Sequence, residues 1–249
     1  MQTIVSAIQF APKLLDVRSN IVQAQMLVHE AAIKGARVIV LPELCLSGFV
    51  IREAREAFDC CQQKDGYQTE AFAPFAQMYN CHIVLGYIEL YEGKLYNSAV
   101  TIGPSGITAN AQKRNLHGND ALWATPSERM SEITVTDHGR LGALICKDIA
   151  NNFRESYKFF RPEHKFYHKG SVDTICLPTN WGNGFSYPDS SWVDLSESMN
   201  CNVIVANRVG RERDMKFKGG SAVIDRNQKI YTNGSNFVTS AVVGGMICL

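Results

Sequence analysis

At roughly 150 residues per domain, a chain of 249 residues makes one large domain or two small ones, long enough to bury a core without staples. Its 45% hydrophobic and 20% charged residues exclude a disordered chain, a coiled coil and a collagen-like repeat. Twenty-five Lys plus Arg against 24 Asp plus Glu leave a formal charge of +1, so no global field draws nucleic acid or an anionic membrane surface, and a small-molecule substrate is expected.

The opening stretch Thr3 to Phe10 alternates as a strand and lacks the basic start of a signal peptide. No apolar run reaches the ~18 residues of a spanning helix, so a cytoplasmic protein is expected. Ile21, Ala24, Leu27, Val28, Ala31 and Ala32 recur at helical spacing up to a Lys34-Gly35 stop, and the strand Val38 to Leu41 follows at once. His82 to Leu90 and Leu95 to Ile102 form a hairpin around Glu92-Gly93. Leu141 to Cys146 is a buried strand. A second βαβ run comprises Val172 to Leu177, a helix from Ser190 to Asn200, and Val203 to Ala206. Ser221 to Ile224 pairs with Lys229 to Thr232. These mixed elements predict layers of helix on sheets holding parallel and antiparallel strands. No linker or low-complexity tract divides them, so residues 1–249 are read as a single domain.

The eight cysteines, at 45, 60, 61, 81, 146, 176, 201 and 248, contain no Cys-x-x-Cys pair and no zinc-ligand spacing. Most are expected to be buried, reduced and packed as small hydrophobes.

Three segments place a chemically capable residue at a strand end, where α/β folds commonly build their sites. In Leu41-Pro-Glu43, a carboxylate following a buried strand either acts as a general base or merely caps the loop. In Leu141 to Asp148, Cys146 is either an activated nucleophile or a core thiol. In Ala109 to Leu116, Lys113 either supplies a fixed charge to an oxyanion or is a solvated surface lysine.

Taken together, the order Glu, Lys, Cys in these contexts resembles the nitrilase superfamily of carbon-nitrogen hydrolases. Carried over, Glu43 matches the general base, Lys113 the oxyanion-stabilising lysine and Cys146 the nucleophile. Ile8 to Pro12, Gly86 to Glu89, Tyr96 to Ala99, Leu177 to Gly182, Ala206 to Gly210 and Gly219 to Asp225 also look like family landmarks, so the resemblance spans nearly the whole chain. It implies a four-layer αββα sandwich and association into a homodimer or higher homo-oligomer. It also implies Lys147, Asn180 and Trp181 as substrate-binding residues, with no metal or organic cofactor.

The chain departs from the family pattern twice. Many members carry a second Glu between lysine and cysteine; here Asp120 stands at a fitting interval before Pro126, either as a shortened replacement or as an ordinary loop residue. After Cys146-Lys147-Asp148 the usual Arg is Ala150, and the segment Tyr157 to Lys169 is unusually basic and aromatic, a substrate-facing or partner-facing insertion or a solvated amphipathic helix.

The resemblance implies hydrolysis of non-peptide C–N bonds through a Cys thioester, with linear amides or N-carbamoyl amides first. A nitrilase is the alternative, weighed down because Lys147 stands where nitrilases commonly carry Trp. A catalytically silent binding protein is the other. Side-chain recognition is expected in the loops Phe49 to Tyr67, His117 to Met130 and Gly182 to Ser191.

Overall fold

The computed structural model describes residues 2–149, 167–182, 189–227, 229–232 and 241–248. In chain order it runs β1 (Gln2–Gln9), α1 (Val17–Ile33), β2 (Val38–Val40), α2 (Ala54–Cys60), α3 (Tyr67–Glu70), α4 (Ala73–Tyr79), β3 (His82–Tyr91), β4 (Lys94–Gly103) and β5 (Gly106–Gln112). It continues with β6 (Ile133–Thr136), β7 (Gly139–Ala143), β8 (Thr174–Thr179), α5 (Ser190–Met199) and β9 (Asn202–Asn207). The last strands are β10 (Val209–Glu212), β11 (Met215–Lys218), β12 (Ala222–Ile224), β13 (Ile230–Thr232) and β14 (Ala241–Cys248).

Two six-stranded sheets form, ordered β14-β1-β2-β3-β4-β5 and β13-β12-β9-β8-β7-β6. Read from β14 in the first and from β6 in the second, both have the same pairing sequence: antiparallel, parallel, parallel, antiparallel, antiparallel. The parallel centres are covered on both faces, which is why β2 and Val203 to Ala206 of β9 read as unbroken apolar runs.

The period-2 pattern of a strand then decides which face meets what. Val38 and Val40 point into the core shared with the second sheet, where they join Val5, Ala7, Ile175, Leu177 and Val205. Ile39 and Leu41 point the other way, to the layer holding Ala24, Val28 and Ala31 of α1. On the far side α5 lays Trp192, Leu195 and Met199 onto the second sheet. The result is the αββα sandwich.

Local chemistry sets the element ends. Asp16 caps α1 by accepting from the Ser19 N–H, and Gly35, at φ +90°, lets the chain leave the helix. Buried Asn20 of α1 accepts from Lys13 N and donates to Leu46 O at 2.9 Å, tying the helix to the loop after β2. Two strands differ from the sequence reading. β8 begins and ends two residues later than Val172 to Leu177 and includes Pro178. Pairing to β7 stops at Cys176, whose carbonyl accepts from Leu144 N, so the Pro178 nitrogen on that same edge has no ladder bond to lose. β7 ends at Ala143 rather than reaching Cys146, because Asp148 accepts from Ile145 N and draws residues Cys146–Ile149 into a single 3-10 turn.

Of the basic aromatic segment, residues 157–166 and Ala150 lie outside the described residues. Tyr167 is not solvated: it is buried, and its hydroxyl accepts from Ala143 N at 2.8 Å. Among the described residues no helix is long and apolar enough to cross a membrane.

Candidate active site

Three strand ends converge on one cavity of about 380 Å³, which Lys113 reaches from β5, Cys146 from β7, and Asn180 and Trp181 from β8. Glu43, two residues after Leu41, is fully buried and reaches this centre through hydrogen bonds. The Lys113 Nζ lies 2.6 Å from Glu43 Oε1 and 2.5 Å from Asp120 Oδ2, with all three side chains buried. Asp120 is therefore part of the constellation and not an exposed loop residue. The His117 N–H holds its other oxygen at 2.6 Å, in the 3-10 turn Gly118–Leu122.

The Glu43 carboxylate is fixed from both sides. Asn97 Nδ2 donates to Oε1 at 2.8 Å, and Asn180 Nδ2 donates to Oε2 at 3.1 Å and to the Glu43 carbonyl at 2.9 Å. Its backbone is seated by Gly86 of β3, where a Cβ would lie 2.4 Å from Leu44 N, 2.7 Å from Glu43 Cα and 2.8 Å from Pro42 O. Only glycine permits that approach. Asn180, expected to bind substrate, thus also holds Glu43; its Oδ1 is buried and has no partner among the described residues.

Cys146 has φ +46°, the left-handed region that a residue with a Cβ enters at a cost. Asp148 supports that turn, accepting from Ile145 N at 3.1 Å, Asn115 N at 2.9 Å and Arg114 N at 3.1 Å, and so clips the Cys146 turn to the chain after Lys113. Burial pushes the Asp148 carboxyl up to about 6 against the pull of these N–H groups and of Lys113. Burial and the Glu43 carboxylate push the Cys146 thiol well up, with Lys113 opposing them. Burial works against the Lys113 ammonium, yet Glu43, Cys146 and Asp120 together raise its pKa above the ordinary lysine range. The arrangement accordingly holds a neutral thiol, a permanent cation and a nearby carboxylate able to take a proton.

Lys147 and Trp181 line the same cavity, with Phe49, Met215 and Lys216 completing much of its wall. The Phe49 loop is anchored from far along the chain: Glu212 accepts from Phe49 N and Val50 N, both at 2.7 Å, while ion-paired to buried Arg208. Residues 183–188 of the expected recognition loop lie outside the described residues. The role of Asn97 within the Tyr96 to Ala99 landmark is not legible in the sequence beyond an Asn standing inside a strand, and the structure shows it buried. Nothing local marked Glu212 or Lys216. Among the described residues no group of three or more His, Cys, Asp or Glu is placed to hold a metal ion, and all eight cysteines are free.

Comparison with known proteins gives a consistent picture. The family model described as carbon-nitrogen hydrolase matches residues 4–161. A nitrilase of Pyrococcus abyssi is 27% identical over 232 residues, covering 93% of this chain and 84% of the relative. A protein N-terminal amidase of Schizosaccharomyces pombe is 29% identical, covering 89% of this chain and 90% of the relative. Among solved structures, a CN-hydrolase superfamily protein from Xanthomonas campestris superposes with a TM-score of 0.80 at 21% identity, covering 100% of this chain and 91% of that one. That last likeness is one of fold.

Proposed function

The chain belongs to the carbon-nitrogen hydrolase family, and on that premise we propose that it is an amidase that hydrolyses linear amides or N-carbamoyl amides through a thioester on Cys146. The observation that carries the reading is the buried Lys113 ammonium, clamped between Glu43 and Asp120 where it lines the cavity that holds Cys146.

Because the Cys146 thiol is protonated at rest, attack needs a base, and Glu43 takes the proton as sulfur bonds to the carbonyl carbon. Negative charge gathers on the carbonyl oxygen, facing the Lys113 ammonium and the backbone N–H of Lys147. Asp120 keeps that ammonium charged and fixed in place. The C–N bond then breaks as Glu43 returns its proton to the departing nitrogen, leaving the acyl group on sulfur. Water attacks the thioester, Glu43 takes a proton from it, and the acid leaves as that proton returns to Cys146. The free Asn180 Oδ1 is placed to accept an N–H of the substrate amide.

The test is ammonia release from a panel of amides, ureido acids and nitriles. Turnover of amides or ureido compounds that is abolished in Cys146→Ala supports the reading; turnover confined to nitriles replaces it with the nitrilase alternative. Saturable ligand binding with no ammonia released from any compound would leave a silent binding protein.

A further inference from the structure

Glu89 of β3 is a buried carboxylate, 1% exposed, that the mechanism does not use. Its Oε2 accepts from Ser98 Oγ at 2.7 Å, Gln112 Nε2 at 2.9 Å and Asn110 Nδ2 at 3.0 Å, and its Oε1 accepts from the same Asn110 Nδ2 at 2.9 Å. Such a ring of donors suits the ionised form, which only accepts. Among the described residues no Lys, Arg or His is ion-paired to it. Burying a carboxylate among neutral donors is costly, so an apolar residue would fill this space better if packing were its only task.

The donors point to that task. Ser98 and Gln112 are directly opposed in the β4-β5 ladder, and successive residues along a strand point to opposite faces. Their chain neighbours Asn97 and Lys113 therefore turn to the other face, where Asn97 Nδ2 and Lys113 Nζ reach Glu43 Oε1 at 2.8 and 2.6 Å. Two carboxylates thus hold the same pair of strand ends from opposite sides, Glu89 behind and Glu43 in front. Gln112 Oε1 also accepts from Ser127 Oγ at 3.1 Å, and Ser127 N donates to the Lys113 carbonyl at 3.0 Å, which closes the base of the loop carrying Asp120. We propose that Glu89 is a positioning residue for the reaction: from the far face of the sheet it clamps Ser98 and Gln112, and so sets Asn97 and Lys113 against Glu43. The inference rests on the amidase reading for its effect on turnover, and adds the residue that fixes the cation.

The experiment compares Glu89→Gln, Gln112→Glu and the two combined. Glu89→Gln keeps the shape but turns an amide N–H toward other donors; the double variant reverses the hydrogen bond between the two positions and so restores it. Folded protein is assayed for kcat and KM of ammonia release and for the pH at which iodoacetamide begins to label Cys146, with urea unfolding recorded separately. Lys113 holds the Cys146 thiol lower than burial and the Glu43 charge would leave it, so a displaced ammonium moves the rise in labelling to higher pH. Glu89→Gln is expected to lower kcat at least ~10-fold with KM changed less than about twofold, and to raise the labelling pH. The double variant recovers both. Gln112→Met cuts the link beside Lys113 while leaving Ser98 and Asn110 on Glu89; it should raise the labelling pH as well, and it carries the test if Glu89→Gln does not fold. Lost stability with kcat and labelling profile unchanged would make Glu89 a merely structural residue and overturn the proposal, as would a double variant no better than Glu89→Gln. Labelling needs no substrate: if no amide is turned over the amidase reading fails, while a raised labelling pH still supports the clamp and an unchanged one overturns it.

Discussion

Replacing Gly86 with alanine tests whether the close approach of β3 to the loop after β2 is what sets the position of Glu43. The added Cβ would sit 2.4 Å from Leu44 N, whereas ordinary contacts begin near 3.4 Å, so one partner must retreat by about 1 Å (3.4 − 2.4). All three clashing atoms are backbone, so no side chain can swing aside. Within the sheet Gly86 is held by its pairing with Ala99 in the β3-β4 ladder, so the loop is the partner that moves. Such crowding typically costs 1–3 kcal/mol of stability, and a reacting group misplaced by about 1 Å costs on the order of 10²-fold in rate. Steady-state ammonia release and urea unfolding measure the two effects separately. Gly244→Ala, where an added Cβ meets nothing within 4 Å, is the control and retains wild-type kinetics. If folded Gly86→Ala keeps kcat within twofold of wild type, the close approach does not position Glu43 and the reasoning is wrong.

Cys146→Ala is expected to abolish turnover with an unchanged unfolding curve; iodoacetamide inactivation that tracks labelling of another cysteine would remove Cys146 from its role. Glu43→Gln preserves shape but cannot accept a proton, so kcat should fall at least ~10²-fold, and a folded variant with most of its activity would exclude Glu43 as the base. The same variant carries a pH signature: the Glu43 charge helps raise the Cys146 pKa, so its removal should move the rise in alkylation rate to lower pH. Lys113→Met leaves Glu43 and Asp120 facing one another without their cation, a change expected to cost about 3–5 kcal/mol in stability. In the same variant kcat and kcat/KM should drop together by about 10²–10³-fold; a change confined to KM would mean that Lys113 binds substrate uniformly and does not serve the transition state.

The sequence by itself determined the features carried by local pattern. The apolar run Val38 to Leu41 marks a strand buried on both faces, and the spacing from Ile21 to Ala32 produces the buried stripe of α1. Strand-terminal Glu43 and Cys146 were legible because each ends or closely follows a recognisable apolar run, and Lys113 because it stands at a strand terminus in order between them. The short helices α2, α3 and α4 were not, because four to seven residues carry too little periodicity to read. Other features depend on contacts between distant parts of the chain. Asn97 meets Glu43 across 54 positions, Asn180 meets it across 137, and Glu212 grips Phe49 across 163. The turn at Cys146 needs Asp148 to clasp N–H groups 33 and 34 residues away. Only the tertiary structure could decide these, because a hydrogen bond is satisfied by whatever donor the packing of two sheets brings within 3 Å, and that proximity leaves no local trace in the order of residues.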